Sequence, residues 1–292
     1  MAKYAIFCLN PLTERGVDPE FTIDAEAARA AGLTVLTFDH DVLERRLDAR
    51  AALRSMRATE PGDVVYRGWM LRLEAYRALF DELASRGFTL ITDPEAYAAC
   101  HHAPGSYQAL KAWMPDTRWV EREHMDDPAA IAAALEAFGH RPVILKDWVK
   151  SQAGYWREAC FIPDASDKDQ VGRVVSRFRE LQDDSLVGGL VFKAYQPLTP
   201  GGGPPHEFRA FILDGVVVGC WPRDETSGEP PPPDLVTQVA AQIPSRFASA
   251  DFAIDTGGRW WLLEVGDGQV SGLPRPDVAA PLMQALASRL AG

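Results

Sequence analysis

DFAIDTGGRWWLLEVGDGQ, residues 251–269, places an apolar strand on each side of a glycine turn and sends Asp251, Glu264 and Asp267 toward one another. DFAI (251–254) and WWLLEV (260–265) read as the strands. Asp255-Thr256-Gly257-Gly258 joins them, its glycines supplying the positive φ angles a hairpin needs. Oxygen ligands at the ends of strands suit a hard divalent cation such as Mg²⁺, with Mn²⁺ as an alternative. An exposed acidic hairpin end accounts for the same residues, and this stretch alone does not choose between the two.

Around that hairpin, 292 residues with 47% hydrophobic content are enough for two or three subdomains with a real core. The formal net charge of −11 argues against a nucleic-acid surface. Cys8, Cys100, Cys160 and Cys220 are far apart and form no CxxC pair, so neither a zinc site nor a disulfide framework is indicated, and a reducing cytoplasm fits. MAKYAIFCLN lacks a cleavage signature and reads as a first strand. No segment reaches the length of a membrane span, so no membrane partner is expected.

Strand-like KYAIFCL (3–9) and TVLTF (34–38) flank a helix over 23–31 that ends at Gly32. DVVY (63–66), a helix over 71–85 and FTLI (88–91) repeat the rhythm, which predicts a parallel α/β sheet. Beyond about residue 100 the pattern becomes mixed α+β. Asp127 caps a helix over 128–138, PVILK (142–146) is a buried strand, and a second helix spans 169–182. GLVFKAY (189–195) is another strand, and EFRAFILDGVVVGC (207–220) is a hairpin turning at Asp214-Gly215. The run Glu229–Asp234 reads as a polyproline connector, and a last helix covers 277–290.

Three features carry chemistry. The strand ending in Lys146 runs into a loop with Lys150, Ser151, Gln152 and Gly154, which could fold over phosphates, although neither a Walker loop nor a GxGxxG is present. Taken alone, Lys146 also reads as a snorkelling edge-strand residue. Glu207 and Arg209 share one strand face; the planar guanidinium fork suits transferring phosphate oxygens, and Glu207 could orient it or touch a ribose. Arg67, at a strand's carboxyl end with Trp69 just beyond, is a substrate-binding candidate because parallel sheets present ligands at that edge.

The order of these features resembles the ATP-grasp family: a lysine strand, a Ser/Gly loop, an apolar strand before a hinge, the ExR hairpin, then DFA and LEVGDG. The resemblance runs from near residue 100 to the end. It implies an N-terminal pre-ATP-grasp α/β domain over 1–98, a first ATP-grasp subdomain with a phosphate-covering loop over 99–187, and a second subdomain with the metal site over 188–292. It also implies that Lys146 and the loop bind ATP phosphates, that backbone groups of Lys193, Tyr195 and Gln196 recognise adenine, and that Arg209 stabilises the transferring phosphoryl group. Asp251, Glu264 and Asp267 would hold Mg²⁺. Gln269, Ser271 and Arg275 would lie where the family places its reacting substrate.

The chain departs from the family in two places. The usual first lysine is replaced by a region reading Cys100-His101-His102, so that His102 is a candidate substitute. The usual Glu-x-Asn pair reads Glu264-Val265-Gly266-Asp267. The implied activity is a carboxylate-amine (or thiol) ligase that works through an acyl phosphate and releases ADP and phosphate. The alternatives are a phosphotransferase or a catalytically degenerate nucleotide-binding module. The implied partners are a small-molecule or peptide carboxylate and an amine, and a homodimer is compatible with the sequence.

Overall fold

The computed structural model describes residues 2–58, 60–198, 205–223 and 228–290. It divides into two compact units. The first comprises residues 1–100, 206–251 and 266–292, the second 101–205 and 252–265. The units are therefore discontinuous in sequence, and the boundary expected between 187 and 188 is not one of their limits. The strands Phe247–Ile254 (β11) and Trp260–Asp267 (β12) each contribute residues to both.

In the first unit, Ala2–Cys8 (β1), Thr34–Phe38 (β2), Gly62–Arg67 (β3) and Phe88–Leu90 (β4) form a parallel sheet in the order β2-β1-β3-β4. The helices Thr22–Ala30 (α1), His40–Arg46 (α2), Ala49–Ala52 (α3) and Leu73–Ser85 (α4) connect them, followed by Pro94–His101 (α5). Val64, Val65 and Tyr66 are all fully buried, as expected where a parallel sheet is covered on both faces. One face packs Ile6, Val64 and Tyr66 against Leu79 and Leu83 of α4. The other packs Ala5, Phe7 and Val65 with Ala25, Leu282 and Leu286, the last two from Ala279–Arg289 (α10).

Glu207–Leu213 (β9) and Val216–Pro222 (β10) form the expected hairpin. Asp214 (φ 52°) and Gly215 (φ 73°) both take the left-handed conformation, as a two-residue type I′ turn requires. The strands β10-β9-β11-β12 make the second sheet. Phe247–Ala253 is buried at every position, so β11 shows no alternation in sequence and begins four residues before the DFA that was legible. Pro233, at the end of the proline run, is the first residue of a helix, Pro233–Ala240 (α9); there the expected connector is replaced by an element in which proline's fixed φ suits the first turn.

In the second unit, Thr117–Val120 (β5), Val143–Lys146 (β6), Phe161–Ile162 (β7) and Leu190–Ala194 (β8) form an antiparallel sheet in the order β5-β8-β6-β7. Ala103–Leu110 (α6) precedes it, and Pro128–Glu136 (α7) and Lys168–Gln182 (α8) pack on it. Asp127 caps α7 through the Ala129 N–H at 2.8 Å, with Pro128 in the first turn as the sequence predicts. Val171, Val174, Val175 and Phe178, one stripe of α8, bury against Leu145 and Phe192. Among the described residues no helix is long and apolar enough to cross a membrane, and all four cysteines carry free thiols.

Candidate active site

Within the second unit, β6 alternates. Val143 and Leu145 are wholly buried, and Lys146 ends the strand with its ammonium 3.3 Å from Oε1 of Glu264 on β12. The lysine is 17% exposed and the glutamate 53%, so the carboxylate end of this pair faces solvent. Lys193 on β8 lies in the same polar recess, which His101, Ser106 and Thr117 also line. Its ammonium donates to the Leu263 carbonyl. Burial, and then the neighbouring Lys146 cation, press it down to about 8 against the pull of Glu264. Sequence reasoning assigned Lys193 a backbone role only. The strand period alone could have flagged the side chain, because it shares a sheet face with residues of the site.

The loop after Lys146 has an organiser that the sequence reading missed. Asp147 is 1% exposed. Its Oδ1 accepts the N–H groups of Val149 and Lys150, and its Oδ2 accepts Gln182 Nε2 at 3.1 Å and the Val187 N–H at 3.2 Å. Gln152 donates to Gln182 Oε1 at 3.1 Å, so in this conformation that amide is held by α8. Ser151 forms an isolated bridge with Lys146, and Lys150, Ser151 and Gly154 are exposed. A π-helical turn, Trp156–Cys160, follows.

Tyr195 corrects the expected adenine contacts, because its backbone N–H donates to Pro142 O at 2.9 Å and is not free for a base. Its ring instead meets Phe161 edge-on, with centroids 5.1 Å apart, and Trp156 stacks on Phe161 at 5.3 Å. Gln196 is half-buried. His102, the candidate substitute for the first lysine, stands at the start of α6 with its ring 5.2 Å from that of Trp148.

In the first unit, Arg209 grips Asp251 with both arms of its fork: Nε to Oδ1 at 2.7 Å and Nη2 to Oδ2 at 2.7 Å. Its Nη1 donates to Gly272 O at 2.9 Å. Arg223, absent from the sequence-derived set, places Nη1 3.1 Å from Asp251 Oδ2 and 3.6 Å from Glu207 Oε2.

Three expected substrate residues of this unit have structural settings instead. Arg67 is 2% exposed. It donates to Asp24 Oδ1 from Nε and Nη2 at 2.9 and 2.7 Å, and to the Gly268 and Ser271 carbonyls from Nη1 at 2.5 and 2.8 Å. The strand-end arginine thus turns inward to hold the 268–271 turn, because a buried carboxylate offers it a partner that solvent does not displace. Gln269 is fully buried, with Nε2 donating to Tyr76 Oη at 2.7 Å and Oε1 accepting the Tyr66 N–H. Ser271 donates to the Asp267 carbonyl and shares a hydroxyl contact with Ser249 at 2.6 Å. Arg275 is exposed and paired with Asp277 at 3.0 Å.

The metal set changes as well. Among the described residues, no group of three or more His, Cys, Asp or Glu side chains stands in metal-binding geometry. Asp267 has no exposed surface: Oδ1 accepts from the Gln269 backbone and side chain, and Oδ2 is a buried oxygen without a hydrogen-bond partner. Burial pushes its carboxyl up to about 7, only partly opposed by the Gln269 bonds and the Arg67 charge. A cation that keeps several of its waters does not suit this dry setting, so Asp267 leaves the metal set. Glu264, exposed and carboxylate-bearing, fits a Mg²⁺ ligand. Asp251 fits only where its oxygens are released by the guanidiniums that now hold them.

A lysine at a strand end beside a solvent-facing glutamate, and an arginine fork on a buried aspartate, are groups that handle a metal-bound polyphosphate. A family model for an ATP-grasp domain, the third family of its clade, matches residues 134–288, over half of the chain. The chain belongs to the ATP-grasp ligase family, and within it to this clade; ATP and Mg²⁺ are the family's cofactors. The crystal structure of the D-cycloserine synthetase DcsG is similar at a TM-score of 0.63 and 17% identity, covering 98% of this chain and 99% of that one. A RimK domain ATP-grasp protein from Sphaerobacter thermophilus DSM 20745 gives 0.64 at 16% identity over the whole of both chains. The ATP-grasp ligase PsnB, solved with a minimal precursor, Mg and ADP, gives 0.59 at 16% identity over 99% of this chain and 98% of that one. At these identities the likeness establishes the fold. No curated protein matches the chain by sequence.

Proposed function

We propose that this ATP-grasp ligase phosphorylates a substrate carboxylate with ATP and joins the resulting acyl phosphate to an amine or thiol. The observation that supports this most directly is the Lys146–Glu264 pair, in which a strand-anchored cation stands 3.3 Å from a half-exposed carboxylate. Two anions must meet in the first step. At about 4 Å and an effective dielectric near 20 their repulsion is roughly 4 kcal/mol, which Lys146 and Arg209 offset.

In that step a carboxylate oxygen bonds to the γ-phosphorus as the bond to the ADP oxygen breaks. The amine then attacks the acyl carbon, orthophosphate leaves, and the amine loses a proton. Bound Mg²⁺ supplies charge neutralisation at the phosphate oxygens, with Glu264 as a ligand. No side-chain nucleophile is required. Exposed Lys150, Ser151 and Gly154 belong to a loop suited to close over the intermediate and exclude water, which would hydrolyse an acyl phosphate. Among the similar structures one is named a D-cycloserine synthetase and others hold precursor peptides, so small-molecule and peptide carboxylates are both substrate candidates.

The test is ADP and orthophosphate release from Mg·ATP against a panel of amino acids and peptides, with the products identified by mass spectrometry. Release that requires both a carboxylate and an amine, with an amide product, supports the proposal. A phosphorylated acceptor without an amide identifies a phosphotransferase, and ADP release indifferent to every acceptor sinks the ligase reading.

A further inference from the structure

We infer that Arg223 is a second anion-binding guanidinium, which forms with Arg209 a clamp for the terminal phosphate of ATP, with Asp251 as the counter-ion that holds the pair when no nucleotide is bound. This rests on the ATP-dependent reading above. The register of β9 and β10 explains why the two arginines meet. Trp221 pairs with Arg209 and Pro222 with Phe208, and Arg223 continues the ladder with its N–H on Glu207 O at 2.9 Å. Directly opposed residues share a sheet face, so Arg223 emerges beside Glu207 on the face that carries Arg209.

The geometry exceeds what a structural ion pair needs. Arg209 alone saturates Asp251 with two 2.7 Å bonds, and Asp251 Oδ2 nevertheless receives Arg223 at 3.1 Å. Two guanidiniums and two carboxylates, Asp251 and Glu207, make a cluster with no net charge. Its buried members are Asp251 at 6% and Arg209 at 14% side-chain exposure, and its open member is Arg223 at 35%. Arg209 is further fixed by Gly272 O, whereas among the described residues the Arg223 head meets the two carboxylates, at 3.1 and 3.6 Å. A planar carboxylate can engage one fork in full. A tetrahedral phosphate dianion offers three oxygens and engages two, which makes it the better partner for this pair of forks.

The experiment is calorimetric titration of ATP and of ADP, each with Mg²⁺, into wild type, Arg223→Gln and Arg223→Lys, with thermal melting as the check on folding. The clamp predicts that Arg223→Gln weakens ATP about 10- to 100-fold, the size of a lost charge-assisted contact, and ADP less than about threefold. Arg223→Lys, which keeps the charge and loses the fork, falls between. A purely structural Arg223 would lower the melting temperature and weaken both nucleotides equally, so an unchanged ATP-to-ADP affinity ratio overturns the inference. A wild type that binds ADP as tightly as ATP also overturns it. If Arg223→Gln does not fold, the same ratio is read from Arg223→Lys. Failure of the wild type to bind either nucleotide would remove the ATP reading itself, an outcome distinct from an unchanged ratio.

Discussion

Replacing Arg67 by Met tests whether this strand-end arginine holds the fold. Its side chain is 2% exposed and that of Asp24 is 6%, so the pair is cut off from water. Removal of the guanidinium leaves a buried carboxylate without its cation, together with the Gly268 and Ser271 carbonyls that Nη1 had satisfied. Breaking one side of such a pair costs about 3–5 kcal/mol, against a domain stability of about 5–15 kcal/mol. Replacing both partners by apolar residues removes the stranded charge, so Arg67→Met/Asp24→Leu is expected to cost at least about 2 kcal/mol less than the sum of the two single changes. Urea unfolding followed by tryptophan fluorescence on the four proteins of this cycle measures the difference. A single Arg67→Met cost below about 1 kcal/mol, or strictly additive changes, would refute the reasoning and return Arg67 to the substrate candidates.

Three further outcomes are expected. The folded Asp267 carboxyl titrates near 7 against about 3.9 unfolded, so its contribution to stability is complete below about pH 4 and is lost as pH rises from there through 7. Asp267→Asn should remove that slope and gain on the wild type by on the order of 4 kcal/mol between pH 4 and pH 8; a difference flat with pH in urea titrations counts against it. Lys146→Met should weaken Mg·ATP binding at least about tenfold by calorimetry while leaving the melting temperature within a few degrees, since the pair it breaks with Glu264 is half-exposed. Gly188→Ala should destabilise the second unit by roughly 2–4 kcal/mol: the φ there is +67°, and an added Cβ would lie 2.0 Å from the Trp148 ring, so normal thermal stability of this variant would contradict the loop geometry.

Much of the site's framework was legible because it is written in short-range signals. Alternation and a strand terminus placed Lys146, and the Asp214-Gly215 pair announced its hairpin, since few sequences tolerate two successive positive φ angles. The same logic failed where burial is complete on both faces. The extension of β11 back to Phe247 has no period to read, and α9 was hidden by prolines that elsewhere break helices. Asp147 was passed over because an aspartate after a strand is ordinarily a solvated loop residue; four hydrogen bonds converge on it only once α8 and residue 187 arrive.

Strand and helix order, the chemical types available to the site and, through their succession, the family all follow from the chain's local signals. Long-range packing chose which charges face a ligand and which are internal. Arg67 turned inward because Asp24 and the Gly268 carbonyl, 43 and 201 positions away, close around it; Asp267 lost its water to the same packing; and Arg223 joined the site by cross-strand register. Local periodicity fixes the direction in which a side chain leaves the backbone. Whether that direction ends in solvent, in a cation or in the core depends on residues tens to hundreds of positions distant, and only their packing settles it.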